Sequence, residues 1–168
     1  YDFEIWKDLE NNYNSYPIFT AKEFLDTNKK SNELNFVSIG INDFSYNLTK
    51  KILNDKTIVL VLETENLAGM TEQRRVFFEL IEKGITNPVI LKRDYSNITF
   101  EDLQLYSSTD LGALLVDGFG DGVWLYVDDL KSDIEISGTY VKSCIKKSET
   151  KEKIVNRLLF NILQAARQ

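Results

Sequence analysis

The residues of this chain best suited to chemistry gather between Leu111 and Leu125, in the stretch LGALLVDGFGDGVWL. Asp117 and Asp121 offer carboxylates; Gly118, Gly120 and Gly122 alternate with Phe119 and Asp121, and Trp124 follows. Glycine adopts backbone angles closed to other residues and lets an anion or a second backbone come close. The loop therefore reads either as an anion cradle edged by acids or as a tight turn that packing requires. Its GxGxG spacing is not the dinucleotide fingerprint GxGxxG. The run before it, Gly112 to Asp117, is apolar up to its acidic end. That predicts a strand buried on both faces, with Asp117 at its carboxyl end, where ligands of α/β folds bind. Phe119 and Trp124 could instead anchor a contact with another domain, since aromatic side chains dominate many interfaces. For Trp124, burial in the core is the competing reading.

Composition narrows the chemistry further. Histidine is absent and Cys144 is the only cysteine, so the commonest general base and the commonest metal ligand are both missing. Zinc, haem and iron–sulfur sites built within this chain are close to excluded, and no intrachain disulfide can form. Carboxylate acid–base work, with Glu63 as a further candidate, and a hard-cation site of oxygens remain open. A net charge of −6 and a pI near 4.8 argue against nucleic acid and anionic lipid as partners. The chain has no apolar run of membrane-span length, and its acidic start is unlike a signal peptide. The expectation is a soluble, cytoplasmic protein, and 168 residues suffice for one domain with a real core.

The elements that must position these residues follow a regular rhythm. A short helix is expected near Phe3 to Leu9, then an extended piece at Ile18–Phe19 after Pro17. Thr20 and Glu23 have capping-box spacing, which predicts a helix from Ala21 to Thr27. Asn35 to Ile41, Thr57 to Glu63 and Pro88 to Lys92 read as buried strands, with Gly112 to Asp117 as the fourth. Between them, Asp43 is expected to cap a helix through Leu53, Thr71 to begin one ending at Gly84, and Thr99 to cap one from Phe100 to Ser108. Val76, Phe77, Leu80 and Ile81 form the inner face of the second of these. Parallel strands joined by right-handed helical crossovers are the simplest structure with this rhythm. The chain is too short for a full eight-unit barrel, so the predicted fold is α/β, a partial or degenerate TIM-barrel-like domain. Beyond Tyr126 comes a charged stretch, with Glu135 to Lys142 expected as an extended arm and Lys146 to Lys153 as a solvated face. A final helix over Glu149 to Ala166 is expected to set Ile154, Leu158, Ile162 and Ala166 in one apolar stripe and to turn Phe160 away from it.

Three blocks together resemble the 4-hydroxy-3-methylbut-2-enyl diphosphate synthase family, iron–sulfur enzymes of the non-mevalonate isoprenoid pathway. They are LGALLVDGFGDGVWL (Leu111 to Leu125), RRVFFELIEKGITNPVI (Arg74 to Ile90) and NILQAAR (Asn161 to Arg167). The resemblance is to the three-domain form, in which an extra α/β domain lies between the substrate-binding barrel and the cluster domain. It implies a parent reaction, the reductive dehydration and ring opening of methylerythritol cyclodiphosphate at a [4Fe-4S] cluster held by three cysteines and a glutamate. None of those cysteines is in this chain, and no catalytic motif carries over. Residues 1–168 are thus expected to be one insert domain with no catalytic, cofactor or metal site. The implied role is that of a spacer whose partners are the flanking barrel and iron–sulfur domains. Residues 1–34 match the family weakly, and 128–148 are longer and more charged than its pattern. The alternative from the residues alone is a free-standing anion-binding α/β domain that uses the GFGDG loop.

Overall fold

The computed structural model describes residues 1–9, 13–131 and 150–167. Five parallel strands form one sheet in the order in which the chain supplies them: β1 (Ile18–Thr20), β2 (Asn35–Ile39), β3 (Ile58–Leu62), β4 (Val89–Tyr95) and β5 (Gly122–Val127). Between and around them lie α1 (Phe3–Trp6), α2 (Ala21–Asp26), α3 (Tyr46–Leu53), α4 (Gly69–Glu82), α5 (Phe100–Ser107), α6 (Ala113–Val116) and α7 (Lys151–Ala166). A parallel sheet in sequential order, wound right-handedly, puts every crossover helix on the same face. The burial of β2 agrees, since Asn35, Val37 and Ile39 are buried while Phe36 and Ser38 are only half-buried. This is the arc of a (β/α) barrel that does not close, as the sequence predicts.

The core sits between sheet and helices. Val37, Ile39, Leu60, Leu62 and Leu91 point into it with 1% exposure or less, and Leu48, Ile52, Leu103 and Leu114 meet them from the helices. Each such side chain contributes about 1.5–3 kcal/mol on burial. Thr20 and Glu23 form the expected capping box at α2, and Thr99 Oγ1 accepts the Asp102 N–H at the start of α5. At the far end of α2, the Lys51 ammonium donates to the carbonyls of Phe24 and Thr27. Desolvation depresses its pKa.

Several expectations need correction. Gly112 to Asp117 is not a strand: α5 runs on through a π-turn over Ser108–Gly112 into α6, and the strand that follows β4 is the edge strand β5, which starts at the last of the three glycines. Leucine and alanine favour a helix there, whereas VWLYV alternates β-branched and aromatic residues as strands do. Asp43 does not cap α3. Its carboxylate accepts the Gly40 N–H at 2.7 Å, and Ser45 caps the helix by accepting the Leu48 N–H at 3.2 Å. Ile81 is 63% exposed. The buried stripe of α4 runs through Gly69, Gln73, Val76, Phe77 and Leu80, and Ile81 lies roughly a quarter turn off its centre. Helix α4 also begins at Gly69, two residues before Thr71. The expected arm at 135–142 and most of the lysine-rich stretch lie outside the described residues. In α7, Ile154, Leu158 and Ile162 are buried and Phe160 is 61% exposed, as read from the spacing.

Candidate functional site

Two places could hold a site, one at each end of the sheet. At the carboxyl end, the strands open into a cleft of about 1370 Å³. Parallel strands present such a cleft because their crossovers all leave from that end. Glu63 follows directly on β3, and β4 runs on through Lys92, Arg93, Asp94 and Tyr95, which alternate between the two faces of the sheet. Lys92 Nζ donates to Glu63 Oε2 at 2.8 Å and lies 3.3 Å from Asp94 Oδ2, while Ser38 Oγ donates to Glu63 Oε1. Burial pulls the Lys92 pKa down, but the hydrogen bond and charges of Glu63 and Asp94 outweigh it, and the net shift is upward. Its ammonium also stands 5.3 Å from the centre of the Trp124 ring.

The next side chain, Arg93, is only 5% exposed. Its Nη1 donates to the carbonyls of Thr64 and Asn66 at 3.0 and 3.1 Å. Its Nε stands 2.9 Å from Asp110 Oδ2, an ion pair whose angle falls short of a hydrogen bond. Tyr95 donates its hydroxyl to the same Asp110 oxygen at 2.8 Å, and burial is the main cause that pushes the phenol pKa up. Asp110 sits in the π-turn, so this network ties β4 to both the β3–α4 loop and the α5–α6 connection. Gly69 makes room for it, since a Cβ there would stand 2.4 Å from Arg93 Cζ. Gln73 completes the join by donating to the carbonyls of Leu62 and Lys92. None of Lys92, Arg93, Tyr95, Asp110 or Gln73 was singled out in the sequence. The usable signal was the run Lys92-Arg-Asp-Tyr95, charged residues following directly on a buried strand.

The cleft's charge balance decides what it can hold. Asp43, Glu63, Glu65, Glu72, Asp94, Asp102 and Asp110 line it against Lys92, Arg93 and Lys131. Seven carboxylates against three cations leave a net charge of −4, and both central cations are already paired. Such a wall repels a diphosphate. Among the described residues no cluster of His, Cys, Asp and Glu could hold a metal ion, and the donor set of the whole chain, one cysteine and no histidine, does not fit a four-iron cluster.

The glycine loop lies at the opposite, amino-terminal rim, where α6 turns into β5. Asp117 ends α6 and pairs with Arg74 of α4. Gly118 (φ +80°) and Gly120 (φ +92°) take left-handed angles. Phe119 turns inward, its ring stacked on Phe77 with centroids 4.8 Å apart and Phe78 edge-on at 6.0 Å. Asp121 clasps the start of β4 twice: its N–H donates to the Val89 carbonyl at 2.7 Å, and its carboxylate accepts the Val89 N–H at 2.8 Å. The Gly118 and Phe119 amides donate to Leu115 and Leu114. Three of the loop's amides are thus engaged within the fold. Gly122 opens β5 opposite Ile90. Trp124 lies away from this rim, 41% exposed on the sheet face opposite α7. The structure therefore gathers Asp117 to Gly122 on one rim and sets Trp124 apart from Phe119, on the other side of the sheet.

Both chain ends reach the same rim as the loop. Tyr1 and Asp2 pair with Ile18 at the start of β1, and Ala166 and Arg167 at the end of α7 lie beside Gly120 and Asp121. Four strand spacings of about 4.8 Å separate β1 from β5, so these two places on the rim are roughly 19 Å apart. Among the described residues no helix is long and apolar enough to cross a membrane.

Comparison with known proteins bears on the whole chain. No protein-family model matches it, and no solved structure does. It is 32% identical over 166 residues to a 4-hydroxy-3-methylbut-2-en-1-yl diphosphate synthase (flavodoxin) of Parabacteroides distasonis, an alignment that covers 99% of this chain and 23% of the relative. The synthase of Porphyromonas gingivalis is 33% identical over 79% of this chain and 19% of its own length. A chloroplastic, ferredoxin-type synthase of Oryza sativa is 30% identical over 70% of this chain. The chain spans about a fifth of the length of these curated relatives. Along that fifth, the chain belongs to the 4-hydroxy-3-methylbut-2-en-1-yl diphosphate synthase family.

Proposed function

We propose that residues 1–168 form a single non-catalytic structural domain of such a synthase, inserted between the domains that carry its chemistry and acting as the spacer through which they meet. The observation that carries this reading is that polar groups at both candidate sites are committed to the fold. Lys92 and Arg93 are paired in an acidic cleft, and the amides of Gly118, Phe119 and Asp121 donate to neighbouring carbonyls. The loop from Asp117 to Gly122 shares its rim with both chain ends, which favours it as the contact with the flanking barrel and iron–sulfur domains. Val116, 70% exposed beside it, and Phe78, 56% exposed, add apolar surface there. The [4Fe-4S] cluster belongs, on this reading, to the parent enzyme and is held outside this chain, in a cytoplasmic protein.

The alternative, an anion site in the GFGDG loop, draws support only from the two left-handed glycines. Two carboxylates flank that loop, and its committed amides would have to be freed. Calorimetric titration with pyrophosphate, the cyclic diphosphate and common nucleotides separates the readings. No saturable heat is expected from any of them. Saturable binding that Gly118→Ala abolishes would replace the structural reading with the anion site.

A further inference from the structure

The sequential strand order leaves the second face of the sheet without helices of its own crossovers, and that face is largely apolar. On it Phe36 pairs with Val59 and Ile90 with Val61, the first three half-buried and Val61 fully buried, and the edge strand adds Trp124 and Tyr126, 41% and 52% exposed. Purely parallel sheets are ordinarily covered on both faces. At its carboxyl end the face meets Glu63 and Asp94, with Lys92 between them paired to both, in a cleft wall that still carries a net charge of −4 when its three cations are counted.

We propose that this face docks a segment of the synthase chain lying outside residues 1–168, apolar at its centre and carrying lysine or arginine toward the Glu63–Asp94 end. The inference rests on the structural reading above and adds to it which surface is used and what chemistry meets it. Three observations select this occupant. The relatives are about four times as long as this chain, so ample polypeptide is available. A tethered segment also enjoys an effective concentration that no free partner matches. Five strands of about five residues offer a footprint of roughly 24 by 16 Å, or about 400 Å². That suits an interface within one chain, but is about half of what each partner of a stable free complex buries. Finally, a second copy would bring its own acidic rim to the contact, whereas a basic segment complements it.

The test uses the full-length synthase with p-benzoylphenylalanine in place of Trp124, and a control chain with the same residue at Phe160, outward on α7. Photolysis and peptide mapping read where each position reacts. The expected result is an intramolecular cross-link from position 124 to residues outside this segment, severalfold above the yield from position 160. Asp94→Lys, at an exposed position, should lower that yield severalfold. A dimer-sized product from position 124 would assign the face to a second copy instead. A yield equal to the control would show the face unoccupied, and an unchanged yield in Asp94→Lys would overturn the basic character of the occupant. The structural role itself is judged by turnover of the full-length enzyme, so loss of the cross-link with the kinetic prediction intact removes only the docking face.

Discussion

Gly120→Ala should cost the chain about 2–5 kcal/mol, and the structure divides that cost into two parts. Gly120 has φ +92°, a conformation that charges an alanine roughly 1–2 kcal/mol. A Cβ there would also stand 2.9 and 3.0 Å from Cγ and Cδ1 of Leu91, which is fully buried in the core. Forcing a methyl against a packed leucine costs a further ~1–3 kcal/mol. Gly118 supplies the control, because its φ is +80° but no atom lies within 4 Å of its Cβ position. Gly118→Ala should therefore show the backbone cost alone. Urea unfolding followed by circular dichroism measures both, and a shift in midpoint at constant m isolates stability. Leu91→Ala removes the clashing atoms, so in the double variant the Gly120 substitution should recover about 1–3 kcal/mol of its cost. Equal losses for Gly118→Ala and Gly120→Ala would refute the packing account of the loop, as would strict additivity of the Leu91 pair.

Three further outcomes follow from the networks. Asp121→Ala leaves the Val89 N–H without its carboxylate acceptor and should cost about 1–3 kcal/mol by urea unfolding. Asp110→Ala strands the buried Arg93 guanidinium on two carbonyls, an expected loss of about 3–5 kcal/mol, whereas replacing both by apolar residues should recover most of it. Tyr95 has a phenol pKa raised by burial. The folded state then keeps its proton where the unfolded state loses it, so its contribution is full below about pH 10 and declines as pH rises beyond that. Stability scanned upward from pH 9 should fall less steeply in Tyr95→Phe than in the parent chain.

How far the sequence carried depended on whether a local signal was unambiguous. The capping box of Thr20 and Glu23, the apolar runs of β2 and β3 and the stripe of α7 all survive, because side-chain period and cap chemistry agree at those places. The run from Gly112 to Val116 was ambiguous, since a short apolar stretch bounded by glycine suits a buried strand or a buried helix equally. Its misreading moved Asp117 to the wrong end of the sheet and with it the expected ligand site. The Arg93–Asp110–Tyr95 network was invisible for a different reason. Its members are far enough apart in sequence that only the π-turn after α5 brings them together. Trp124 and Phe119, five residues apart, looked like one pair of anchors, yet the loop and the strand alternation send them to opposite faces.

The central claim is that this segment supports a synthase without touching its substrate. Steady-state kinetics of the full-length enzyme test it most directly, comparing Glu63→Gln/Lys92→Met in the cleft with Asp117→Ala on the rim. For the cleft variant, kcat and KM should both stay within about twofold of the parent. The rim variant should lower turnover by loosening the domain contact while leaving KM for the cyclic diphosphate unchanged. A loss of about a hundredfold or more in kcat from the cleft variant, with the fold intact by circular dichroism, would mark Glu63 or Lys92 as a participant in the reaction and contradict the account.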